Sequence, residues 1–552
     1  MEHLQAVLGA ELLTYLLACE EHEVERAGTE WTDRQRDAIQ HLEGVVSSIS
    51  RQEGTQKRLL ISQYLLQYSE IEGRSLAKSI RAHCGGDIVA ISETGDHFQD
   101  CLRQIASDLY PAFLFPTTED SSLLIPTLSS ALHRHPRRLE LFKLIATDSK
   151  LKYFYPGAPK DPEALRDQHT LYEIQSNIIV SFGRSGSFQL VGLPGMILTS
   201  AYHRAILNGS VSLAHFVAIV AEVVEDVRKL ATGHQVLVPT IIEIGGITLP
   251  EGKSITFPWG EIRSATSSDA RILRLRGRNN IVLVTKAPLK VLSKRTWDPE
   301  EIKGERDLFS RHKPRFEESD KQLTRIINLT RYALILASRG RRLHRCVHKS
   351  TTILDPLAHG PVERWQFESP IQTDDLPILD SDIPGIEKWG SRLNEYPREL
   401  DVAMRRTLSA AIDRLDPLDG FIDAVLAWEN IFSSSPETSL RVCGALARII
   451  ERSDFARRRE LYEELLELYR SRSNIVHGGI KEPSLDDAIK LRNRAVEVAL
   501  DAMRALYSPG MTELLRRDSS ARSKYILLGY LDPKQEHVDT SSAAPRDEDL
   551  PA

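Results

Sequence analysis

Cysteine is scarce in this chain: five residues, Cys19, Cys84, Cys101, Cys346 and Cys443, stand far apart among 552 and form no CxxC pair. An odd, scattered set excludes a disulfide framework and a zinc-ligand pattern, and it fits reduced thiols in a cytoplasmic protein. An excess of positive charge is absent too. Net charge is −6, so nucleic-acid binding gains nothing from bulk electrostatics and would rest on local basic patches. Long apolar runs are missing: the longest uncharged stretch, Ser185–Tyr202, is broken by Gly192, Pro194 and Gly195, and is too polar at its ends to span a bilayer. The opening MEHLQAVLGAELL carries glutamates where a signal peptide carries basic residues, so no export is expected. A phosphate-cradling glycine loop is also lacking, because GRSGSFQLVGLPG has no strand–turn–helix context around it.

What remains is an ordinary globular composition, with 41% hydrophobic and 27% charged residues. At roughly 100–200 residues per domain, the length implies about three or four domains. We read the chain as multidomain and mainly α. Residues 1–230 show apolar spacing of three and four and form a helical region of unknown role. Leu109–Pro126 and Tyr155–Pro162 read as loops within it. Residues 231–297 form a small antiparallel β unit, with the segments QVLVPTIIEI, GITL, KSITF, ARILRL and NIVLVT divided by glycine-rich turns. Residues 298–396 are a mixed connector with one helix and many prolines, and residues 397–530 a helical bundle. Residues 531–552, low in apolar side chains, should be a disordered tail. A basic run, RGRRLHRCVHK from Arg339 to Lys349, suits phosphate contact but more simply a solvated face.

In the bundle, helices are expected at about 398–415, 417–432, 437–452, 455–477 and 484–508, the last opened by Ser484 with Asp487 as a capping box. Two of them carry a charge inside an apolar stripe. On one, Leu461, Leu465 and Leu468 lead to Arg472 and then Ile475; on the other, Leu418, Ile422 and Val425 lead to Glu429 and then Phe432. A lone buried charge is costly, so this pattern predicts a Glu429–Arg472 ion pair inside the bundle. His477 precedes Gly478 and Gly479, so it closes its helix at the negative end of the dipole, a place that suits a proton donor. It faces the flank of Arg470, Ser473 and Asn474, which leaves Arg470 and Arg472 as alternative arginine partners.

DPLDGFIDAVLAWENIF, SLRVCGALARII and LYRSRSNIVHGG together resemble the Apea-like branch of the HEPN superfamily, helical bundles marked by an arginine, four to six residues, and a histidine. The resemblance covers about residues 397–510. It implies a metal-independent endoribonuclease, with no cofactor and no metal, of the kind found in bacterial defence or toxin-like effectors. Arg472 and His477 would be the catalytic pair, Asn474 a helper and Glu429 the acid orienting the arginine. RNA would be the substrate and a homodimer through the bundle would complete the site, while the N-terminal region would sense an unidentified trigger. Some relatives carry a helping polar residue directly after the arginine; here the small Ser473 stands there and Asn474 follows. The chemistry suits these residues, since RNA supplies its own 2′-hydroxyl nucleophile and the site need only move protons and stabilise phosphorane charge. The other reading is a non-catalytic bundle used for dimerisation or binding. In it Arg472 merely fixes helix register and His477 merely caps a helix.

Overall fold

The computed structural model describes residues 1–26, 30–49, 54–116, 124–155, 157–159, 164–165, 168–180, 184–209, 212–273, 280–293, 305–338, 343–365, 375–432, 438–478 and 483–529. It is mainly helical. The N-terminal part contains α1 (Glu2–Leu8), α2 (Ala10–Leu17), α3 (Glu21–Glu25), α4 (Asp33–Ser48), α5 (Gly54–Leu65), α6 (Leu76–His83), α7 (His97–Leu109), α8 (Leu124–Arg134), α9 (Arg138–Thr147), α10 (Gln168–Glu173), α11 (Leu193–Leu207) and α12 (Leu213–Ala231). Apolar side chains at helical spacing, such as Phe216, Val220, Val223 and Val227 of α12, fill its core. The expected loop after Leu109 starts as a buried 3₁₀ turn, Tyr110–Leu114, and residues 117–123 lie outside the described residues, as does part of the loop expected over 155–162.

The sheet is larger than the sequence suggests. Strands β5 (Val236–Gly245), β7 (Ser254–Phe257), β8 (Gly260–Ser264) and β9 (Ile281–Leu289) are joined by β11 (Val347–Ile353) and β12 (Val362–Trp365) in a six-stranded sheet of order β12-β11-β5-β9-β8-β7. All its pairings are antiparallel; β11 meets β5 with Ile353 opposite Thr240 and Val347 opposite Gly245. Residues 298–396 are therefore not a mere connector. The reason is edge satisfaction: β5 is buried along most of its ten residues and cannot leave one edge of backbone donors and acceptors bare. The N-terminal region is not wholly helical either, since β1 (Tyr68–Ser69) pairs with β2 (Arg74–Ser75), and β3 (Gln175–Val180) pairs with both β4 (Arg184–Gln189) and β10 (Val291–Ser293); β6 (Ile247–Thr248) and β13 (Leu376–Pro377) form a short parallel pair.

One expected strand is a helix. ARILRL begins inside α13 (Ser267–Leu273), because Thr266 Oγ1 accepts the Asp269 amide at 3.1 Å while the Asp269 carboxylate takes the Thr266 amide at 2.7 Å.

After the 33-residue α14 (Glu305–Ala337) and α15 (Ile383–Leu393) comes the bundle: α16 (Asp401–Leu408, running into a π turn over Ser409–Asp413), α17 (Pro417–Phe432), α18 (Thr438–Ile450), α19 (Phe455–Val476), α20 (Leu485–Leu506) and α21 (Ser519–Leu528). The last of these was not foreseen. Helix α17 is central and packs on α16, α18, α19, α20 and α21. Phe421, Ala424, Val425, Trp428, Ile431 and Phe432 are its buried face, and the Trp428 indole donates to the Ala495 carbonyl of α20 at 3.0 Å. The bundle is tied to α14 by the Arg325–Asp401 and Arg331–Asp413 pairs and by Arg504, which donates to the Ile335, Leu336 and Ser338 carbonyls at the end of α14. Among the described residues no helix is long and apolar enough to cross a membrane. The expected disordered tail lies outside the described residues.

Asp423 is buried on α17 and accepts from Ser409 at 2.7 Å, from Arg414 at 2.8 Å and from Arg406. Burial opposes its charge, but the bonds from Arg414, Ser409 and Arg406 outweigh burial and hold the carboxyl below the ordinary aspartate range. A depressed folded value gives stability that is complete above the unfolded aspartate value of about 3.9 and is lost as pH falls through the folded value. Asp423→Asn should therefore flatten the acid limb of the stability profile below about pH 4. Urea midpoints measured as a function of pH check this; an acid limb identical to wild type would contradict it.

Candidate functional site

The turn between α18 and α19 spans only residues 451–454, and α20 returns antiparallel to α19, with Arg494 holding Glu464 through bonds of 2.6 and 2.9 Å. The start of α18, the end of α19 and the start of α20 consequently share one end of the bundle. Asp454 caps the start of α19, accepting from the amides of Ala456 at 2.9 Å and Arg457 at 3.1 Å. At the other end His477 is the C-cap residue, its amide bonded to the Ser473 carbonyl at 3.0 Å, and Gly478 follows at φ +69°. That left-handed position stops the helix where the glycine predicted it would.

Helix α19 fully buries only Leu465 and Leu468. Beyond them the side chains Tyr469, Arg472, Ser473 and Ile475 are half-buried, whereas Arg470, Asn474, Val476 and His477 are exposed. His477, Asn474 and Arg470 thus share the accessible flank that helical spacing assigned to them.

The expected Glu429–Arg472 ion pair is absent among the described residues. Glu429, half-buried on α17, accepts instead from the Tyr469 hydroxyl at 2.6 Å. Tyr469 lies three residues before Arg472 on the same face, and a neutral phenol satisfies the carboxylate without desolvating a second charge. Burial and then the Glu429 carboxylate push the Tyr469 phenol upward, and the nearby positive charge of Arg472 works against both. Arg472 itself has no hydrogen-bond or ion-pair partner among the described residues, and its Nε is buried without an acceptor. Nothing in the apolar stripe singles out Tyr469; the one local signal for its role is its place within LYRSRSNIVHGG, one turn before Arg472 on the same face.

Arg470 is exposed, and its charge reaches Cys443 of α18. Burial drives the Cys443 thiol up to about 12, and the Arg470 charge pulls against that rise. No hydrogen bond joins Arg472 or Arg470 to His477 among the described residues, so the chain brings the candidate residues to one end of the bundle without linking arginine to histidine. Three apolar side chains at this end are well exposed: Leu440 at 56%, Val476 at 48% and Leu485 at 66%. Among the described residues no group of three His, Cys, Asp or Glu side chains is placed to hold a metal ion.

The register of α17 against this site is fixed from behind. Arg522 of α21, 1% exposed, donates to the Ile431 carbonyl at 2.8 Å and the Asn430 carbonyl at 3.4 Å, filling acceptors that the end of α17 leaves unpaired. Burial lowers this guanidinium to about 10, so it stays charged at neutral pH.

Comparison with family models, with curated proteins and with solved structures found no match to this chain.

Tyr469→Phe removes the donor to a half-buried carboxylate and should cost about 1–3 kcal/mol of stability. Denaturant unfolding measures it, and a change within error of zero would show that Glu429 needs no donor from α19.

Proposed function

We propose that the C-terminal bundle is a HEPN-type, metal-independent endoribonuclease site in which Arg472 and His477 act on an RNA phosphodiester. One observation carries the reading: Glu429 is committed to Tyr469, so among the described residues Arg472 is a cation without a counter-ion, on the helix that an exposed histidine closes. A guanidinium in that state suits the negative charge of a phosphate, which it can meet through its remaining N–H groups. In the reaction the substrate's 2′-oxygen attacks phosphorus and the bond to the 5′-oxygen breaks. A base takes the 2′-hydroxyl proton, an acid delivers one to the leaving 5′-oxygen, and the products are a 2′,3′-cyclic phosphate and a 5′-hydroxyl end. His477 serves this proton transfer, Arg472 stabilises the phosphorane oxygens, and Asn474 lies on the same accessible flank as a polar contact to substrate. Arg470 is the alternative cation. A homodimer that juxtaposes two such bundle ends would bring two arginine–histidine sets to one groove, and exposed Leu440, Val476 and Leu485 give that end apolar surface to bury. The effector role, with the N-terminal region as sensor of a trigger, rests on the resemblance alone.

The same apolar surface favours a second reading, in which the bundle end only dimerises or binds a partner and performs no chemistry. Purified protein incubated with RNA separates the two. The nuclease reading expects cleavage that persists in a metal chelator and falls by at least about 100-fold in His477→Ala, with Arg472→Ala also impaired. Intact RNA under all conditions, or cleavage indifferent to both substitutions, would leave only the binding role.

A further inference from the structure

Between the N-terminal helices and the six-stranded sheet the structure leaves a cleft of about 600 Å³, bounded by α7, α11 and α12 and by β5 and β9. That volume lies within the range of small-molecule sites. Its walls follow from the two periods of secondary structure. On α12, Ile219, Glu222, Asp226 and Lys229 recur every three or four residues and share one face. On the sheet, Pro239 stands opposite Lys286 in register, with Leu237 two residues before it, so all three belong to one side of the sheet. Leu237 is 57% exposed there, an apolar side chain set against open space.

The charges of the cleft are unequally committed. Asp226 is held by Arg204 of α11 at 2.7 Å, and Glu225 by Arg228 at 2.7 Å. Glu222 has no ion-pair partner among the described residues, and neither have the exposed Lys229 and Lys286. Two ammonium groups therefore stand against one carboxylate. Arg204 adds to the positive side. It is 7% exposed and its Nη1 is bonded to Asp226, yet its Nε and Nη2 are buried with no acceptor. Buried donors without a partner are rare in folded proteins, and here they belong to a residue that lines the cleft.

We propose that this cleft binds a small organic anion, whose oxyanion group is received by Lys229 and Lys286 against the Arg204 wall and whose apolar body rests on Leu237 and Pro239. The oxyanion supplies the acceptor that Arg204 lacks and the counter-charge that the two lysines lack. Its head is a carboxylate or a phosphate ester. The inference does not rest on the nuclease reading, since none of the elements that bound the cleft carries Arg472 or His477.

The test uses the full-length chain and two probes with an aromatic body, benzoate and phenyl phosphate; inorganic phosphate serves as a head without a body. Titration calorimetry and thermal unfolding at matched ionic strength read the binding. Wild type should bind a single aromatic probe per chain and melt higher as the probe is raised, and the tighter of the two probes assigns the head. Lys229→Gln and Lys286→Gln break no ion pair among the described residues. Without probe they should melt at the wild-type temperature, and they should bind the probe about 10-fold more weakly. Arg204→Lys keeps a cation beside Asp226 but loses the two unmet donors, and should weaken binding by a similar factor. Glu222→Gln should tighten it, because the uncommitted carboxylate is gone. Leu237→Ala should weaken both aromatic probes about 3-fold or more and leave inorganic phosphate unchanged. The proposal is overturned if neither aromatic probe binds wild type at millimolar concentration, or if binding survives both lysine substitutions. It is equally overturned if inorganic phosphate binds as well as phenyl phosphate, or if Glu222→Gln weakens binding as the lysine changes do, which would mark a cation site. Every readout is binding to this cleft, so such a failure leaves RNA cleavage by the bundle a separate question.

Discussion

The end of α17 imposes the constraint on which the bundle depends. A central helix enclosed by five others brings its last carbonyls against packed neighbours, where unpaired acceptors are costly. Arg522 meets this need from a helix nearly one hundred residues later in the chain, so the closing of the α17 end depends on α21. With that end fixed and Trp428 locked onto α20, the position of Glu429 follows, and with it the face of α19 that α17 can receive. The candidate site is therefore set by long-range packing, although its residues are close together in sequence.

Much of this was legible because it is local. The helices around Arg472 fall within a few residues of their expected ends: Gly478 stops α19 through its positive φ, and Ser484 starts α20 by accepting the Asp487 amide at 3.3 Å. Apolar period and capping chemistry determine such features within a few turns of chain. The sheet was misjudged for the opposite reason. Nothing near Val347–Ile353 announces a partner some one hundred residues upstream; only the need of β5 for a second neighbour does, and that need appears in three dimensions. α13 was a different miss, since Thr266 and Asp269 form a local cap that outweighed the β-rich reading of ARILRL.

The Glu429–Arg472 expectation failed in an instructive way. Stripe analysis identified both charges as facing the packed side of their helices, which the half-burial of both bears out, and then paired them because opposite charges attract. A tyrosine on the same face offered the carboxylate a neutral donor at a smaller desolvation penalty. The consequence for function is larger than that for stability. An arginine neutralised by a carboxylate is a register device, whereas an arginine left without one is prepared for an anion. Net acidity of −6 does not oppose this, because local uncompensated cations decide where a phosphate binds.

The central claim, that Arg472 is not neutralised by Glu429, is open to a double-mutant cycle on stability. Glu429→Gln, Arg472→Gln and the double substitution, compared with wild type by denaturant unfolding, yield the coupling between the two side chains. The arrangement described predicts a coupling below about 0.5 kcal/mol, the scatter expected of independent sites. A favourable coupling of about 2 kcal/mol or more, within the range measured for residues in direct contact, would show that the two charges pair and that Arg472 is not free for a phosphate.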